Sequence, residues 1–159
     1  MKTATISELK KEMQTMNQGD LVTLCLRLAR FKAENKELLS YLVFEQHDAL
    51  NYATSVKKLI EDEMLLINFR KSPTAKKSIR KLGRLVGKHI RMTGSKRVEA
   101  ELLIHFCRKL RGSGFPFDPS SPMHTFYNTQ LQKLNRAIGT LHPDLQFDYR
   151  TEMKGLDQF

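Results

Sequence analysis

The chain has no long apolar run: nothing in its sequence approaches the roughly eighteen consecutive apolar residues that cross a bilayer. Its opening, MKTATISELKKEMQTM, has neither an uninterrupted apolar segment nor a small-residue cleavage site, so it does not read as a secretory signal. No membrane partner is expected. Cysteine is equally scarce. Cys25 and Cys107 lie inside apolar helical stretches without Cys or His at ligand spacing, which excludes a disulfide framework and predicts buried thiols in the reducing cytoplasm. Strand signals are missing too, because β-branched residues are sparse and no apolar alternation is flanked by hairpin turns.

Signatures of catalysis and of metal binding are also absent. The histidines His47, His89, His105, His124 and His142 never form HxxxH or HExxH. Glu61 with Glu63, and Glu99 with Glu101, stand two residues apart, so each pair diverges on a helix instead of converging on one substrate; His105 and Cys107 diverge for the same reason. Ser113 in RGSGF has neither the glycine spacing nor the strand-turn-helix setting of a nucleophile elbow. The sequence thus predicts no enzyme, no metal and no cofactor.

What is present is apolar spacing of helical period. An apolar fraction of 40% beside a charged fraction of 28% is the balance of a globular chain, and 159 residues suit one α-helical domain, 1–159. The first helix is expected from about Ile6 to Met16, with Thr5 or Ser7 as its cap. Asn17, Gln18 and Gly19 break it, and Asp20 caps a second helix, LVTLCLRLARF, which reads as central. A short third carries Leu38 to Phe44 and is too apolar to be exposed on more than one side. The fourth spans about Asp48 to Arg70.

Ser72 and Pro73 then form a serine cap with proline at the first helical position, opening a fifth helix that runs to about Met92. Gly83 and Gly87 on its flank permit close approach by a neighbour. The sixth helix runs from Ser95 to Arg111. GSGFPFDPSSP, 112–122, is the one clear loop, and its Phe115 and Phe117 read as pinning it to the helical body in preference to stacking on bases. Ser121 and Pro122 repeat the start signal for a seventh helix, which His142 and Pro143 end, and the weakly patterned tail suggests a final short one. The expectation is an all-α fold of seven to eight helices, packed as an antiparallel bundle or as a short αα-superhelix resembling a solenoid.

Charge is the informative feature. The net charge is +10, yet the basic helical region 70–111 alone holds fourteen Lys or Arg against two acids, Glu99 and Glu101, leaving the rest of the chain slightly acidic. On a helical wheel Lys77, Arg80, Lys81, Arg84, Lys88 and Arg91 fall within a third of the circumference, opposite Ile79, Leu82, Val86 and Ile90. An ordinary solvated face mixes signs, because like charges four residues apart cost stability. Six cations without an acid go against that and point to an anionic partner, either nucleic acid backbone or an acidic protein, with a plain solvated face of good helix formers as the other reading. MTGSKR follows, in which Ser95 would cap the sixth helix with Lys96 and Arg97 beside open backbone N–H groups, the arrangement of an anion site. Base-stacking aromatics are nearly absent from this stretch, so backbone contact is expected over base reading. The competing reading is a protein-interaction scaffold that uses apolar helix surfaces.

The run ISELKKEMQTMNQGDLVTLCLRLARFKAENKELLSYLVFE, with Lys36, Glu37, Tyr41 and Leu42, resembles the opening of a family of uncharacterised bacterial all-helical proteins of about this length. SPTAKKSIRKL, Ser72 to Leu82, resembles that family's Ala-Lys-Lys helix. The likeness covers about half the chain. It implies an all-helical fold and transfers no site residue.

Overall fold

The computed structural model describes residues 2–156, and every regular element among them is helical. The fold is all-α, as the apolar spacing predicts. No helix among the described residues is long and apolar enough to cross a membrane. The chain forms two compact units, Met1–Glu45 and Gln46–Phe159.

The first unit holds α1 (Ile6–Thr15), α2 (Gln18–Phe31), α3 (Ala33–Ser40) and a π-helical turn, Tyr41–Glu45. Thr5 is the cap of α1. Its hydroxyl accepts from the Glu8 N–H at 3.3 Å, while the Glu8 carboxylate accepts from the Thr5 N–H at 2.7 Å, a reciprocal capping box. Asn17, not Asp20, caps α2: its side-chain oxygen accepts from the Asp20 N–H at 2.9 Å, so the helix starts three residues earlier than the apolar stripe suggests. Asn35 donates to the Leu28 carbonyl at 2.9 Å and ties α3 back against α2.

Three further expectations fail in this unit. Cys25, read from the sequence as a buried thiol, is only half-buried. The second helix is not central, since α1, α2 and α3 bury no residue. Nor is the Leu38–Phe44 stretch exposed on one side only. Tyr41 is buried, but Val43 and Phe44 are 61% and 71% exposed. The periodicity there is that of a buried helix, without enough neighbouring helix to cover it.

The second unit holds a 3₁₀ turn (Gln46–Asp48), α4 (Ala49–Leu65), α5 (Ser72–Thr93), α6 (Lys96–Gly112), α7 (Pro122–Gly139) and α8 (Pro143–Glu152). Helix α6 is its centre. It packs against α4, α5 and α7 and buries Val98, Leu102, Leu103, Phe106, Cys107 and Leu110. A helix touching three others is the arrangement of a bundle; in a solenoid each repeat meets only its neighbours. The loop after α6 is held as expected, with Phe115 and Phe117 buried, their rings 5.2 Å apart, and Phe117 a further 5.2 Å from the ring of Tyr127. The Tyr127 hydroxyl donates to the Leu156 carbonyl at 2.9 Å and fastens the segment after α8.

Helix ends depart from the sequence reading for local reasons. Ser121 caps α7, accepting from the His124 N–H at 3.1 Å. Ser72 does not cap α5: the helix begins one residue earlier, Lys71 occupies the cap position, and no side chain closes it. Helix α4 ends at Leu65 instead of Arg70, where the Asn68 side chain accepts from the Arg70 N–H at 3.1 Å and offers the backbone a turn in place of a helical bond. His142 and Pro143 end nothing. His142 caps α8 through its ring, with Pro143 at the first turn.

Candidate anion-binding surface

Helix α5 is the longest helix described, and one stripe of it is apolar: Ala75, Ile79, Leu82 and Val86 are buried. The opposite stripe carries Lys77, Arg80, Lys81, Arg84 and Arg91, all exposed, and Lys88, half-buried. Lys77 to Arg91 spans about 20 Å at 1.5 Å per residue. Among the described residues no carboxylate pairs with Lys77, Arg80, Lys81, Arg84 or Arg91. Like charges therefore stand three and four residues apart along the whole row, without the mixed signs that stabilise an ordinary helix surface.

The turn into α6 is tight. Gly94 takes the left-handed conformation (φ 60°), and its N–H reaches the Ile90 carbonyl at 3.2 Å, ending α5 where a side chain at that position would be strained. Ser95 follows as the cap of α6, its hydroxyl accepting from the Val98 N–H at 3.3 Å. That hydroxyl is thus engaged in capping. Lys96 turns toward its own helix and meets Glu99 at 2.7 Å.

Arg97 leaves the group that the sequence assigned it to. It lies near Glu101 and Tyr149, where Lys57 also pairs with Glu101 and the Tyr149 hydroxyl donates to the same carboxylate at 2.6 Å. Burial pushes the Glu101 carboxyl up, but the hydrogen bonds from Lys57 and Tyr149 and the charges of Lys57 and Arg97 outweigh it and hold the group below the usual carboxylate range. Burial, with the hydrogen bond to Glu101, pushes the Tyr149 phenol up to about 12. This cluster joins α4, α6 and α8 and is satisfied internally. A second one links α4 to α6, where Lys109 meets Glu61 at 2.8 Å and draws that carboxyl downward.

Two cations that the sequence reading missed complete the surface. Lys133 and Arg136 of α7 line one groove with Arg91 of α5 and Lys96 of α6. The signal available was the Gly83, Gly87 flank, which marks a close approach without naming the helix that makes it. That helix is α7: a Cβ on Gly83 would stand 2.7 Å from the Phe126 ring.

Of the groups that sequence reasoning set aside for catalysis, Glu61 and His105 meet, with 3.4 Å between the carboxylate and the ring. Burial pushes the Cys107 thiol up to about 12, far from a reactive thiolate. Glu61 faces Lys109 while Glu63 does not join it, and Glu99 and Glu101 serve different partners. Among the described residues no group of three His, Cys, Asp or Glu side chains is placed to hold a metal ion. The arrangement supports anion binding through fixed positive charge, with a row along α5 and a groove at its C-terminal half. Comparison with protein-family models, with curated proteins and with solved structures finds no match to this chain.

Proposed function

We propose that this chain is a non-enzymatic binding module that engages nucleic acid backbone through the outer face of α5. The observation carrying this reading is the acid-free row: five exposed cations over about 20 Å, none paired with a carboxylate among the described residues. A row of that length runs alongside several phosphates of a duplex, each contact releasing condensed counterions. No aromatic side chain interrupts the row, so base stacking and sequence discrimination are not expected.

Anisotropy titration of unrelated duplexes over a range of salt is the test. Binding should be independent of sequence, fall steeply with salt, and show a slope reduced by about 3 when Arg80, Lys81 and Arg84 are all replaced by Glu. Glutamates there stand opposite lysines at helical spacing, so the fold is not put at risk. No binding at low ionic strength overturns the reading. Preference for polyglutamate over every duplex would assign the face to an acidic protein.

A second reading is favoured by the first unit, whose Ile6, Phe31 and Phe44 are 82%, 78% and 71% exposed. Here the unit acts as an interaction surface, and a second copy of the chain is the occupant we favour. Its segment carries lysines and arginines nearly balanced by acids, so two copies meet without net repulsion. Sedimentation of the full chain should show concentration-dependent mass; a monomer at all concentrations overturns it.

A further inference from the structure

The groove between α5, α6 and α7 combines two kinds of wall. Its inner surface is apolar or bare backbone: Gly83, Gly87 and Ile90 from α5 and the buried Leu103 from α6. Its exposed edge is cationic, with Arg91, Lys96, Lys133 and Arg136 contributed by three different helices. Glu99 is the acid that lines it, and it is engaged by Lys96. Arg91, Lys133 and Arg136 are then left without a carboxylate partner among the described residues. Arg136 gives its Nε hydrogen to the Gln132 carbonyl of its own helix at 3.4 Å, which leaves the two outer guanidinium nitrogens for a ligand. Gln130, 6% exposed, adds a side-chain amide.

The size of the groove decides between ligands. Its volume is about 300 Å³, some ten times the roughly 30 Å³ that one water occupies in the liquid. A bare inorganic anion would leave most of it empty, and the apolar wall would contribute nothing. A ligand with a compact apolar or planar body and one strongly anionic end uses both walls. Of the common anionic ends, a phosphate monoester carries nearly two charges at neutral pH and matches the forked geometry of guanidinium, whereas a carboxylate brings one charge.

We infer that this groove is a binding site for a small organic phosphate monoester, with the phosphate held by Arg91, Lys133 and Arg136 and the organic body laid against Gly83, Gly87 and Leu103. The site shares Arg91 with the outer face of α5 but does not depend on nucleic acid binding there. Gly87 supplies a clean block. A Cβ at this position would meet only the Arg91 guanidinium, at 3.5 Å, so a longer side chain enters the groove without displacing packed core.

Calorimetric titration of the full chain with AMP, inorganic phosphate and adenosine tests the inference. AMP should bind once per chain, adenosine should not bind, and inorganic phosphate should bind more weakly than AMP. Gly87→Met, with its helical content unchanged, should lose AMP binding although every cation is kept. Replacing Lys133 and Arg136 by Ala should weaken AMP by about a hundredfold, since each lost charge-assisted hydrogen bond is worth about tenfold. The variant with Arg80, Lys81 and Arg84 changed to Glu should keep AMP affinity within a few-fold even if it loses duplex binding. No heat with AMP, equal affinity for AMP and inorganic phosphate, or undiminished AMP binding by Gly87→Met would each overturn the proposal. Loss of AMP in the α5-face variant would overturn it as well, by showing general attraction to a basic protein.

Discussion

Gly83 and Gly87 occupy equivalent flank positions of α5 one turn apart, yet the surroundings give them opposite roles. At Gly83 an added Cβ stands 2.7 Å from the Phe126 ring, which is itself held edge-on to Phe106 at 6.4 Å between ring centres. Gly83→Ala must push that ring out of its contact and should cost about 1–3 kcal/mol. At Gly87 the Cβ meets ordinary space, so Gly87→Ala should gain about 0.5–1 kcal/mol from lower backbone entropy in the unfolded chain. Urea unfolding of both variants checks the pair. Equal effects would mean that α7 does not approach α5 at Gly83.

His105 makes a residue-scale prediction about pH. Burial pushes its imidazole below the ordinary value of 6.5, Lys109, Lys57 and Arg108 add to that, and Glu61 opposes it. The folded chain therefore binds this proton more weakly than the unfolded chain does. As pH falls through about 6.5 the unfolded state protonates first, and stability is lost from there down to the lower folded-state value. Glu61 and Glu101 shift the other way from a model value of 4.5, so their stabilising contributions are present above it and fade only in more acid solution. Between about pH 7.5 and about pH 5.5 the native chain should lose more stability than His105→Leu, measured by urea unfolding. Parallel losses in the two proteins would refute this.

At the scale of the helix, the row on α5 works against its own element. Arg84 has Arg80 four residues before it, Lys81 three before it and Lys88 four after it. Each exposed like-charge pair costs about 0.2–0.5 kcal/mol, and an acid at that position converts all three into attractive pairs. Arg84→Glu should therefore stabilise the fold by about 1 kcal/mol at low ionic strength, with the gain shrinking as salt is added. If the substitution destabilises the protein instead, the arginine has a packing role and the row is no longer a feature held at the expense of stability. Helix α5 was legible in the sequence because its two stripes are separated by nearly half a turn of the wheel, and both survive in the fold. Lys133 and Arg136 were not legible, and the diversion of Arg97 only in part. The first two depend on which helix packs beside which, and so does the approach of Arg97 to Tyr149 of α8; Glu101 stands four residues after Arg97 on α6, so that half of the diversion was within reach of the helical period. The early end of α4 was missed for a different reason, a single Asn68 side chain competing for the backbone.

For the whole molecule, the apolar pattern of the sequence does not distinguish its two units, but burial does. Helices α1–α3 have stripes like those of α4–α7 and bury nothing, whereas every buried apolar side chain among the described residues except Tyr41 lies in the second unit, from Tyr52 to Leu156. A unit that carries its own core and its own central helix should fold without the rest. The segment 46–159 alone should therefore unfold cooperatively in urea, with helical content matching α4–α8, and should retain the row on α5 together with any duplex affinity that belongs to it. The segment 1–45 alone should melt without a sharp transition, because α1, α2 and α3 bury no residue and leave large apolar side chains exposed. Circular dichroism of the two segments decides the matter. A non-cooperative 46–159 would mean that its core is incomplete and that the segment is not an independent folding unit.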